Sequence, residues 1–280
     1  MPRTYVSTLL VTKGHPFDHD AFLDMFEGVD DIEVTLVQQP AAQIMLRPEH
    51  ADDFDAVVFY DMSGIAGHGM REDAPGGDGE PPLDYVRSIE ALLERGTGIV
   101  MLNHGAISWP TWPLWRQISG TSFLLSAGEL NGEEVPGSGY RGGAHGPLAN
   151  ATTRLTPATA DHPVLRGLDA GFSITDELYL KSSCFESDVV PLLRSDFDFV
   201  TENFTAPPLA SPEEQASWSH PIGSNLVVWA NACRNSPVVA SDLGDGPAAF
   251  ANEQFRVLLH NALRWVASAD ARQWASLDYS

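Results

Sequence analysis

The sequence predicts an α/β protein built around a mainly parallel β-sheet, and three observations lead to this prediction. Short segments that are apolar throughout, such as residues 99–102, are typical of parallel strands buried on both faces. Helical or loop segments separate three or four such strands within the first 105 residues. The chain has 280 residues, of which 43% are hydrophobic, which is enough for one large core.

The first part of the chain alternates predicted strands with helices and loops. Strands are predicted at Thr4–Thr12, Ile32–Val37, Phe54–Tyr60 and Ile99–Asn103. Helices are predicted at Ala21–Phe26, capped by Asp18 or Asp20, and at Pro82–Arg95, where Gly96 ends the apolar stripe. A loop that is rich in Gly, Pro and acidic residues and contains His68 is expected between Ser63 and Pro82.

The remainder is less regular and is interpreted as an elaboration of the same domain. A hairpin is expected within Leu124–Gly146, and the final helix at Asn252–Ala267. Strands are predicted at Thr152–Leu155, Phe172–Leu180, Val189–Leu193, Leu226–Ala230 and Pro237–Ala240. Because no shift in composition marks a boundary, we interpret residues 1–280 as a single domain whose middle region, residues 121–225, is elaborated.

The acidic composition narrows the class of partner. The formal charge is −22, from 38 acidic and 16 basic residues, which argues against nucleic acid and anionic membrane surfaces. The apolar segments are too short to span a bilayer, and the N-terminal sequence lacks the pattern of a signal peptide. The two cysteines, Cys184 and Cys233, suggest a reducing compartment. We therefore expect a cytoplasmic protein that acts on a small molecule, and the sequence allows a homo-oligomer.

Several widespread catalytic motifs are absent from the sequence. It contains no Gly-x-Ser-x-Gly elbow, no Gly-x-Gly-x-x-Gly loop opening a helix and no Gly-Lys-Ser/Thr phosphate loop. It also contains no His-Glu-x-x-His or Cys-x-x-Cys pair. The familiar hydrolase and dehydrogenase classes therefore find no support, and no nucleotide cofactor is expected.

Polar side chains follow three of the predicted strands, at the sheet edge where α/β proteins bind ligands. His15 follows the first strand, Asp61 the third and His104 the fourth. Because the carboxyl ends of neighbouring parallel strands lie at one edge, we expect these side chains to meet there. A histidine at such a place can titrate, ligate a metal or donate to a substrate oxygen. The structural alternative is that each of them is a turn or cap residue.

A second group of polar residues lies later in the chain. His145 lies among glycines, His220 in a turn, and Asp245 in the turn Gly244-Asp245-Gly246. Asp176 and Glu177 are adjacent carboxylates, and at most one of them enters a given pocket because neighbours on a strand face opposite sides.

Aromatic residues near these groups suit a polyhydroxylated ligand. Trp109 and Tyr140 can cover the apolar face of a sugar ring while polar groups bind its hydroxyls. The alternative for Trp109, Trp112 and Trp115 is a buried helix face, which we prefer for at least one of them.

Six stretches of the chain carry a family resemblance. They are Val11–His15, Phe54–Asp61, Gly98–Trp109, Asp161–Leu168, Asp176–Tyr179 and Gly244–Trp265. In this order and spacing they resemble the ThuA-like family, named for trehalose utilisation, over nearly the whole chain. The resemblance implies a class I glutamine amidotransferase-like fold, in which a flavodoxin-like parallel sheet lies between helices. It also implies a role in the catabolism of disaccharides and their oxidised 3-keto forms.

The resemblance gives the elbow after the fourth strand a specific meaning. Amidotransferases of this fold carry a nucleophilic cysteine there, whereas this chain has Asn103 and His104, so thioester chemistry is not available. Members of the family commonly carry a His-His pair at the elbow and a Gly-His-Asp turn before the last helix. This chain keeps the second histidine as His104 and has Gly244-Asp245-Gly246 at the turn.

The sequence therefore predicts an enzyme of carbohydrate catabolism that acts on a sugar or keto-sugar by histidine–carboxylate acid–base chemistry. Elimination, isomerisation and hydrolysis each fit, and assistance by a divalent metal is allowed. One alternative is a non-catalytic sugar-binding or regulatory protein on an amidotransferase-like scaffold. Another is a divergent amidase, which requires Cys184 or Cys233 at the pocket.

The predicted site combines both groups of residues. The predicted catalytic residues are His104, His145, Glu177 and His220. The predicted substrate-binding residues are His15, Asp61, Asn103, Trp109, Tyr140 and Asp245. No metal ligands are assigned at this stage.

Overall fold

A computed structural model describes residues 4–65, 80–143, 147–208 and 210–278. The strands of this part are β1 (Val6–Thr12), β2 (Ile32–Gln38), β3 (Ala56–Phe59), β4 (Gly98–Leu102), β5 (Gly128–Leu130), β6 (Glu133–Val135), β7 (Gly139–Arg141), β8 (Ala151–Pro157), β9 (Phe172–Asp176), β10 (Leu178–Leu180), β11 (Val190–Ser195), β12 (Leu226–Cys233) and β13 (Ser236–Ser241). Its α-helices are α1 (His19–Leu23), α2 (Ala42–Met45), α3 (Pro48–Ala51), α4 (Leu83–Arg95), α5 (Pro113–Ser119), α6 (Pro212–Ser217), α7 (Pro247–Phe250), α8 (Glu253–Val266) and α9 (Ala269–Asp278).

One nine-stranded mixed sheet organises these elements, in the order β2-β1-β3-β4-β13-β12-β11-β8-β9. The first five strands of this order run parallel to their neighbours. From β13 onward each neighbouring pair is antiparallel. The four strands predicted in the first 105 residues are therefore confirmed, and they form one contiguous parallel half of the sheet.

Helices cover both faces of the sheet, because the wholly apolar strands present side chains to two cores. Leu10 of β1 and Val58 of β3 belong to the core beneath α8. Their neighbours Leu9 and Val57 belong to the opposite core, beneath α4 and α5. This alternation follows from the period of two along a strand and produces the three-layer arrangement that the resemblance implies.

The structure corrects two element predictions. The segment Phe172–Leu180 is not one strand, because β9 pairs with β8 in the large sheet whereas β10 pairs with β7 in a separate two-stranded sheet. The helix over Asn252–Ala267 is not the final one, because α9 follows it. Ser268 starts this further helix, since its Oγ accepts from the backbone N–H of Ala271. The hairpin predicted within Leu124–Gly146 is present as β5–β6.

No helix in the described ranges is both long enough and apolar enough to cross a membrane. His68 and His145 lie outside the described residues.

Candidate active site

The elbow after β4 turns sharply because of two local features. Asn103 has a φ of 47°, in the left-handed region that asparagine tolerates better than most side chains. Gly105 packs directly against β3, since a Cβ added there would lie 1.9 Å from the carbonyl oxygen of Phe59. The chain therefore leaves the sheet as a short 3-10 helix, Asn103–Ile107, with His104 at its start.

The amide side chain of Asn103 joins three elements beneath the site. Its Nδ2 donates to the carbonyl oxygen of Asp242 at 2.8 Å, and its Oδ1 lies 3.4 Å from the hydroxyl of Tyr179 on β10. Tyr179 in turn donates to Oε2 of Glu177 at 2.8 Å. Asn103 thus fixes the elbow to the strand break that carries Glu177, a structural role at the place predicted for substrate binding.

A buried ion pair supports this arrangement from below. Nζ of Lys181 lies 2.7 Å from Oδ1 of Asp242, and both side chains are 2% exposed. Burial lowers the pKa of Lys181 and raises the pKa of Asp242, while the pairing opposes both changes. The ammonium also lies 4.4 Å from the ring centre of Trp229. Because the carbonyl oxygen of Asp242 accepts a hydrogen bond from Asn103, the Lys181–Asp242 ion pair helps to position the elbow.

The structure brings His15 and His104 into direct contact. Their rings stack with centroids 3.8 Å apart and an angle of 23° between planes. They follow β1 and β4, which flank β3 in the sheet, so the expectation that these strand ends meet is correct. Tyr60, at the end of β3, lies edge-on to His104 with ring centroids 5.9 Å apart.

Two carboxylates flank the outer nitrogen of His104. Its Nε2 lies 3.6 Å from Oδ1 of Asp245 and 3.9 Å from Oε2 of Glu177. All three residues are buried, with exposed fractions of 3% for His104, 7% for Asp245 and 6% for Glu177. His104 thus lies between the two carboxylates at separations longer than hydrogen bonds.

Asp176 holds the turn that carries Asp245. Its carboxylate accepts from the backbone N–H of Gly244 at 2.6 Å, of Asp245 at 3.2 Å and of Glu177 at 3.0 Å. Gly244 has a φ of 109°, which a residue with a side chain rarely adopts. Of the two adjacent carboxylates, Glu177 lies next to His104, which agrees with the expectation that at most one of them enters a given pocket. Asp176 instead binds the backbone of the turn that carries Asp245.

Burial raises the pKa of two carboxyl groups and two tyrosine hydroxyls near His104. It raises the pKa of Asp176 to about 7 against the effect of its backbone donors. Burial, and next the negative charge of Asp245, raises the pKa of Glu177 well above its ordinary value. Burial likewise raises the pKa of the hydroxyls of Tyr60 and Tyr179. Such upward shifts are typical of carboxylates that exchange protons near neutral pH.

A cleft of about 450 Å³ opens beside this cluster. His15 and Asp245 line it, together with the half-buried aromatic residue Phe17. The remaining lining residues are Pro16, Asp18, Gly143, Asn150, Gly246, Pro247 and Ala248. The cleft therefore combines an apolar surface with polar groups, the usual composition of a small-molecule site.

Asp61 is fully buried and belongs to a different polar cluster. Its Oδ2 accepts from Nε2 of Gln39 at 3.0 Å and from Oγ of Ser63 at 2.5 Å. Burial raises the pKa of Asp61 to about 6 against these hydrogen bonds. Because neighbours along a strand alternate in direction, Tyr60 faces His104 whereas Asp61 faces the opposite core. The structure therefore does not bring Asp61 to the cleft.

Trp109 lies in the core rather than at the cleft. It is 2% exposed, and its ring packs against Tyr85 with centroids 5.6 Å apart. Trp115 is 1% exposed, so the buried alternative describes both residues. The structure gives no support to Trp109 as a sugar platform, because its ring presents no open face.

The other predicted residues have contacts away from His104. His220 is buried, and its Nδ1 lies 2.7 Å from the carbonyl oxygen of Pro221, while its backbone N–H donates to Thr201. Tyr140 on β7 is half-buried, and its backbone pairs with Thr205. His145 lies outside the described residues, so its predicted role stays a prediction.

Three residues of the cluster were not among the predicted site residues. Asp176 and Tyr179 flank Glu177 in the sequence, and Phe17 lies two residues after His15. A carboxylate and a hydroxyl adjacent to a candidate acid were a usable signal for the first two. An aromatic residue in the loop of a strand-end histidine was a usable signal for Phe17.

The two cysteines do not line the cleft. Sγ of Cys184 lies 3.7 Å from the carbonyl oxygen of Leu130, in the β5–β6 hairpin. Cys233 is buried at the end of β12, where burial raises its pKa to about 11. The amidase alternative therefore lacks a thiol at this site.

The cluster also contains a possible set of metal donors. Among the described residues, one donor atom from each of His15, His104 and Asp245 lies within 4.8 Å of the others. Two imidazoles and a carboxylate are donors suited to a transition-metal ion.

Comparison with known proteins gives one family. A family model described as ThuA, trehalose utilisation, matches residues 9–266. A comparison with curated proteins finds no match.

Solved structures with the same fold include two ThuA-like proteins. One, from Parabacteroides merdae, is 17% identical with a TM-score of 0.61, and covers 94% of this chain and 90% of its own. The other, from Bacteroides uniformis, is 16% identical with a TM-score of 0.59, and covers 95% and 93%. A cytoplasmic protein from Salmonella typhimurium is 11% identical with a TM-score of 0.54, and covers 93% and 99%. At these identities the likeness shows the fold alone, and it agrees with the predicted α/β fold in which a sheet with a parallel half lies between helices.

Proposed function

Because this chain belongs to the ThuA family, which is described by trehalose utilisation, we propose that it is an enzyme of carbohydrate catabolism acting on a sugar or keto-sugar. Membership of the family supports the carbohydrate-related role. The chemistry is carried by one observation, the position of His104 between Glu177 and Asp245 at the carboxyl edge of the parallel strands. Buried acid–base groups around one small space are typical of sites that transfer protons.

Proton transfer next to a carbonyl is the step that this cluster fits best. In a keto-sugar, the carbon beside the carbonyl loses a proton to a base, and the electron pair of the broken C–H bond moves onto the carbonyl oxygen. In this proposal Glu177 exchanges that proton, and the N–H of His104, 3.9 Å from Glu177, donates to the oxygen that becomes negative. Return of the proton to another carbon gives isomerisation, and loss of a leaving group gives elimination.

The cleft supplies features for holding a sugar ring. Phe17 lines the cleft and is half-buried, with its ring stacked on His19 at 4.1 Å, and the ring surface left open to the cleft suits the apolar side of a sugar; the side chains of Asp18 and Asn150 suit its hydroxyl groups. Phe17 thereby takes the platform role that sequence reasoning proposed for Trp109. Asp245 lines the same cleft and links it to His104.

The test is turnover of a defined sugar panel, followed by NMR and mass spectrometry. The panel contains trehalose, sucrose, maltose and lactose, together with the 3-keto form of each. We expect at least one keto-sugar to be converted by the wild type, and Glu177→Gln to lower kcat at least about a hundredfold, the usual effect of removing an acid–base group. His50→Gln, at an exposed position away from the cleft, is the matched control and keeps full turnover.

The other outcomes of this experiment decide against the proposal. Saturable binding of a panel sugar without turnover identifies the non-catalytic sugar-binding alternative. Turnover that Glu177→Gln leaves unchanged removes the assigned chemistry. If no sugar of the panel is bound and none is converted, a sugar or keto-sugar as the substrate is contradicted.

A further inference from the structure

We propose that His15, His104 and Asp245 bind a divalent transition-metal ion, close to Glu177 and next to the cleft that His15 and Asp245 line. The geometry that points to this site is the convergence of three donor atoms, all within 4.8 Å of one another, from three separate loops. These loops follow β1, β4 and β13, which lie within one run of neighbouring parallel strands. The proposal concerns binding of the ion itself and can be tested without any sugar substrate.

The donor distances are close to those of a bound ion. Bonds of about 2.0–2.1 Å in tetrahedral geometry separate donor atoms by roughly 3.3 Å. The 3.6 Å between Nε2 of His104 and Oδ1 of Asp245 is near that value. The stacked imidazoles must turn relative to each other, because lone pairs lying in nearly parallel planes do not converge. His15 is the ring that turns in this proposal, because it is half-buried and lines the open cleft whereas His104 is buried.

The charges of the cluster favour a cation at this place. Three carboxylates lie within it, and Asp176, Glu177 and Asp245 have exposed fractions of 0%, 6% and 7%. His104 lies between two of them, with its Nε2 3.6 Å from Oδ1 of Asp245 and 3.9 Å from Oε2 of Glu177. Burying carboxylates is costly, and a divalent ion bound beside them would offset that cost.

The donor types select the class of metal. Imidazole nitrogens together with one carboxylate suit Zn²⁺, Mn²⁺, Fe²⁺, Co²⁺ and Ni²⁺, whereas Mg²⁺ and Ca²⁺ prefer oxygen ligands alone. Three protein ligands leave a coordination position for a substrate or water, as in catalytic zinc sites. Because His15 and Asp245 both line the cleft, a substrate in the cleft would lie next to the free coordination position of the ion.

The ion changes the roles of the residues around it. With the metal bound, His104 is a ligand, and the ion replaces its N–H as the group that polarises a substrate oxygen. Glu177 lies 3.9 Å from Nε2 of His104 and keeps its place for proton transfer. The proposal therefore deepens the proposed function, although its own measurement does not depend on it.

The test is calorimetric titration of chelator-stripped protein with ZnCl₂, MnCl₂ and MgCl₂. We expect one equivalent of Zn²⁺ to bind the wild type, and Mg²⁺ to bind at least about a hundredfold more weakly. His15→Gln and Asp245→Asn each remove one ligand and weaken Zn²⁺ binding by at least about tenfold. His50→Gln, an exposed histidine, is the matched control and binds Zn²⁺ as the wild type does.

Two further measurements keep the result unambiguous. The urea midpoint of each stripped variant shows whether it is folded, and anomalous scattering at the zinc edge locates the ion in the wild type without any substitution. Absence of saturable Zn²⁺ binding overturns the proposal, as does equal affinity in the wild type and a folded His15→Gln. An anomalous peak elsewhere in the molecule also overturns it. Turnover of the sugar panel is also measured with the stripped enzyme in EDTA. Because this assay does not require a bound ion, it distinguishes failure of the metal proposal from failure of the proposed function.

Discussion

Lys181 and Asp242 do not line the cleft, but their ion pair helps to position the elbow that carries His104. Their ion pair is fully buried, and the carbonyl oxygen of Asp242 receives the amide of Asn103 at the elbow. Each buried charge stabilises the other, because a single buried charge without a partner would lose its hydration uncompensated. The position of His104, one residue after Asn103, thus depends on a lysine that sequence reasoning did not select.

Replacing Lys181 by methionine is expected to destabilise the protein strongly. Lys181→Met keeps most of the side-chain volume but leaves Asp242 buried without its cation, a change that lowers the free energy of unfolding by about 3–5 kcal/mol. Urea unfolding measures it. Arg87→Met is the control, since Arg87 and Asp84 form an exposed pair with 75% and 76% of their side chains accessible, and it changes stability by less than about 1 kcal/mol. Equal effects of the two substitutions would contradict the role of the buried pair.

Asp61 is expected to make stability depend on pH between about 4 and 6. Burial raises its pKa from 3.8 to about 6, so the folded protein holds this proton more tightly than the unfolded chain does. As pH rises through this window, the unfolded chain ionises first and the folded state loses relative stability, in total up to about 3 kcal/mol. Below the window the group is neutral in both states and this penalty is absent.

Asp61→Asn removes the titrating group and retains an oxygen for Gln39 and Ser63. The difference in unfolding free energy between Asp61→Asn and the wild type should therefore grow in favour of the variant as pH increases from 4 to 7. Chemical denaturation at a series of pH values measures this difference. Asp30→Asn, at an exposed position, is the control for the loss of one aspartate. A flat profile for Asp61→Asn would show that its burial does not control its ionisation.

At the scale of elements, the contact between the elbow and β3 fixes where the strand ends meet. Gly105→Ala would place a Cβ 1.9 Å from the carbonyl oxygen of Phe59, so the elbow or β3 must move. We expect a loss of about 1–3 kcal/mol in unfolding free energy, the usual range for an overpacked site. Gly128→Ala is the control, because its nearest neighbour would lie at 3.7 Å. Urea unfolding of both variants checks the prediction, which fails if they are equally stable.

Sequence reasoning reached the parallel half of the sheet because its strands are short apolar segments with polar ends. It therefore placed His15 and His104 at one edge correctly, since β1, β3 and β4 are neighbours. It did not find the break at Glu177, because residues on both sides of the break have strand-like sequences and only their different partners separate them. Trp109 was ambiguous for a similar reason, since its burial depends on packing against α4 and not on local pattern.

At the scale of the whole molecule, the two halves of the mixed sheet have different roles at the site. The parallel half supplies His15 and His104 from strand ends, as flavodoxin-like folds do. The antiparallel half extends the sheet to β9, whose end carries Asp176 and leads to Glu177. The candidate site thus forms where both halves contribute: Asp176 and Glu177 come from the elaborated middle of the chain, whereas Asp245 follows β13.

The excess of negative charge should make the stability of the whole molecule increase with salt. The 38 acidic residues outnumber the 16 basic ones, so the compact state carries self-repulsion that extends over about 30 Å at 0.01 M salt but only about 3 Å at 1 M. Surface ion pairs such as Arg264–Asp31 weaken with salt, but each contributes less than about 1 kcal/mol. We therefore expect Tm to rise by several degrees between about 0.01 M and 1 M NaCl. KCl should give the same rise, because screening depends on ionic strength, whereas a Tm that falls in both salts would mean that ion pairs outweigh the net repulsion.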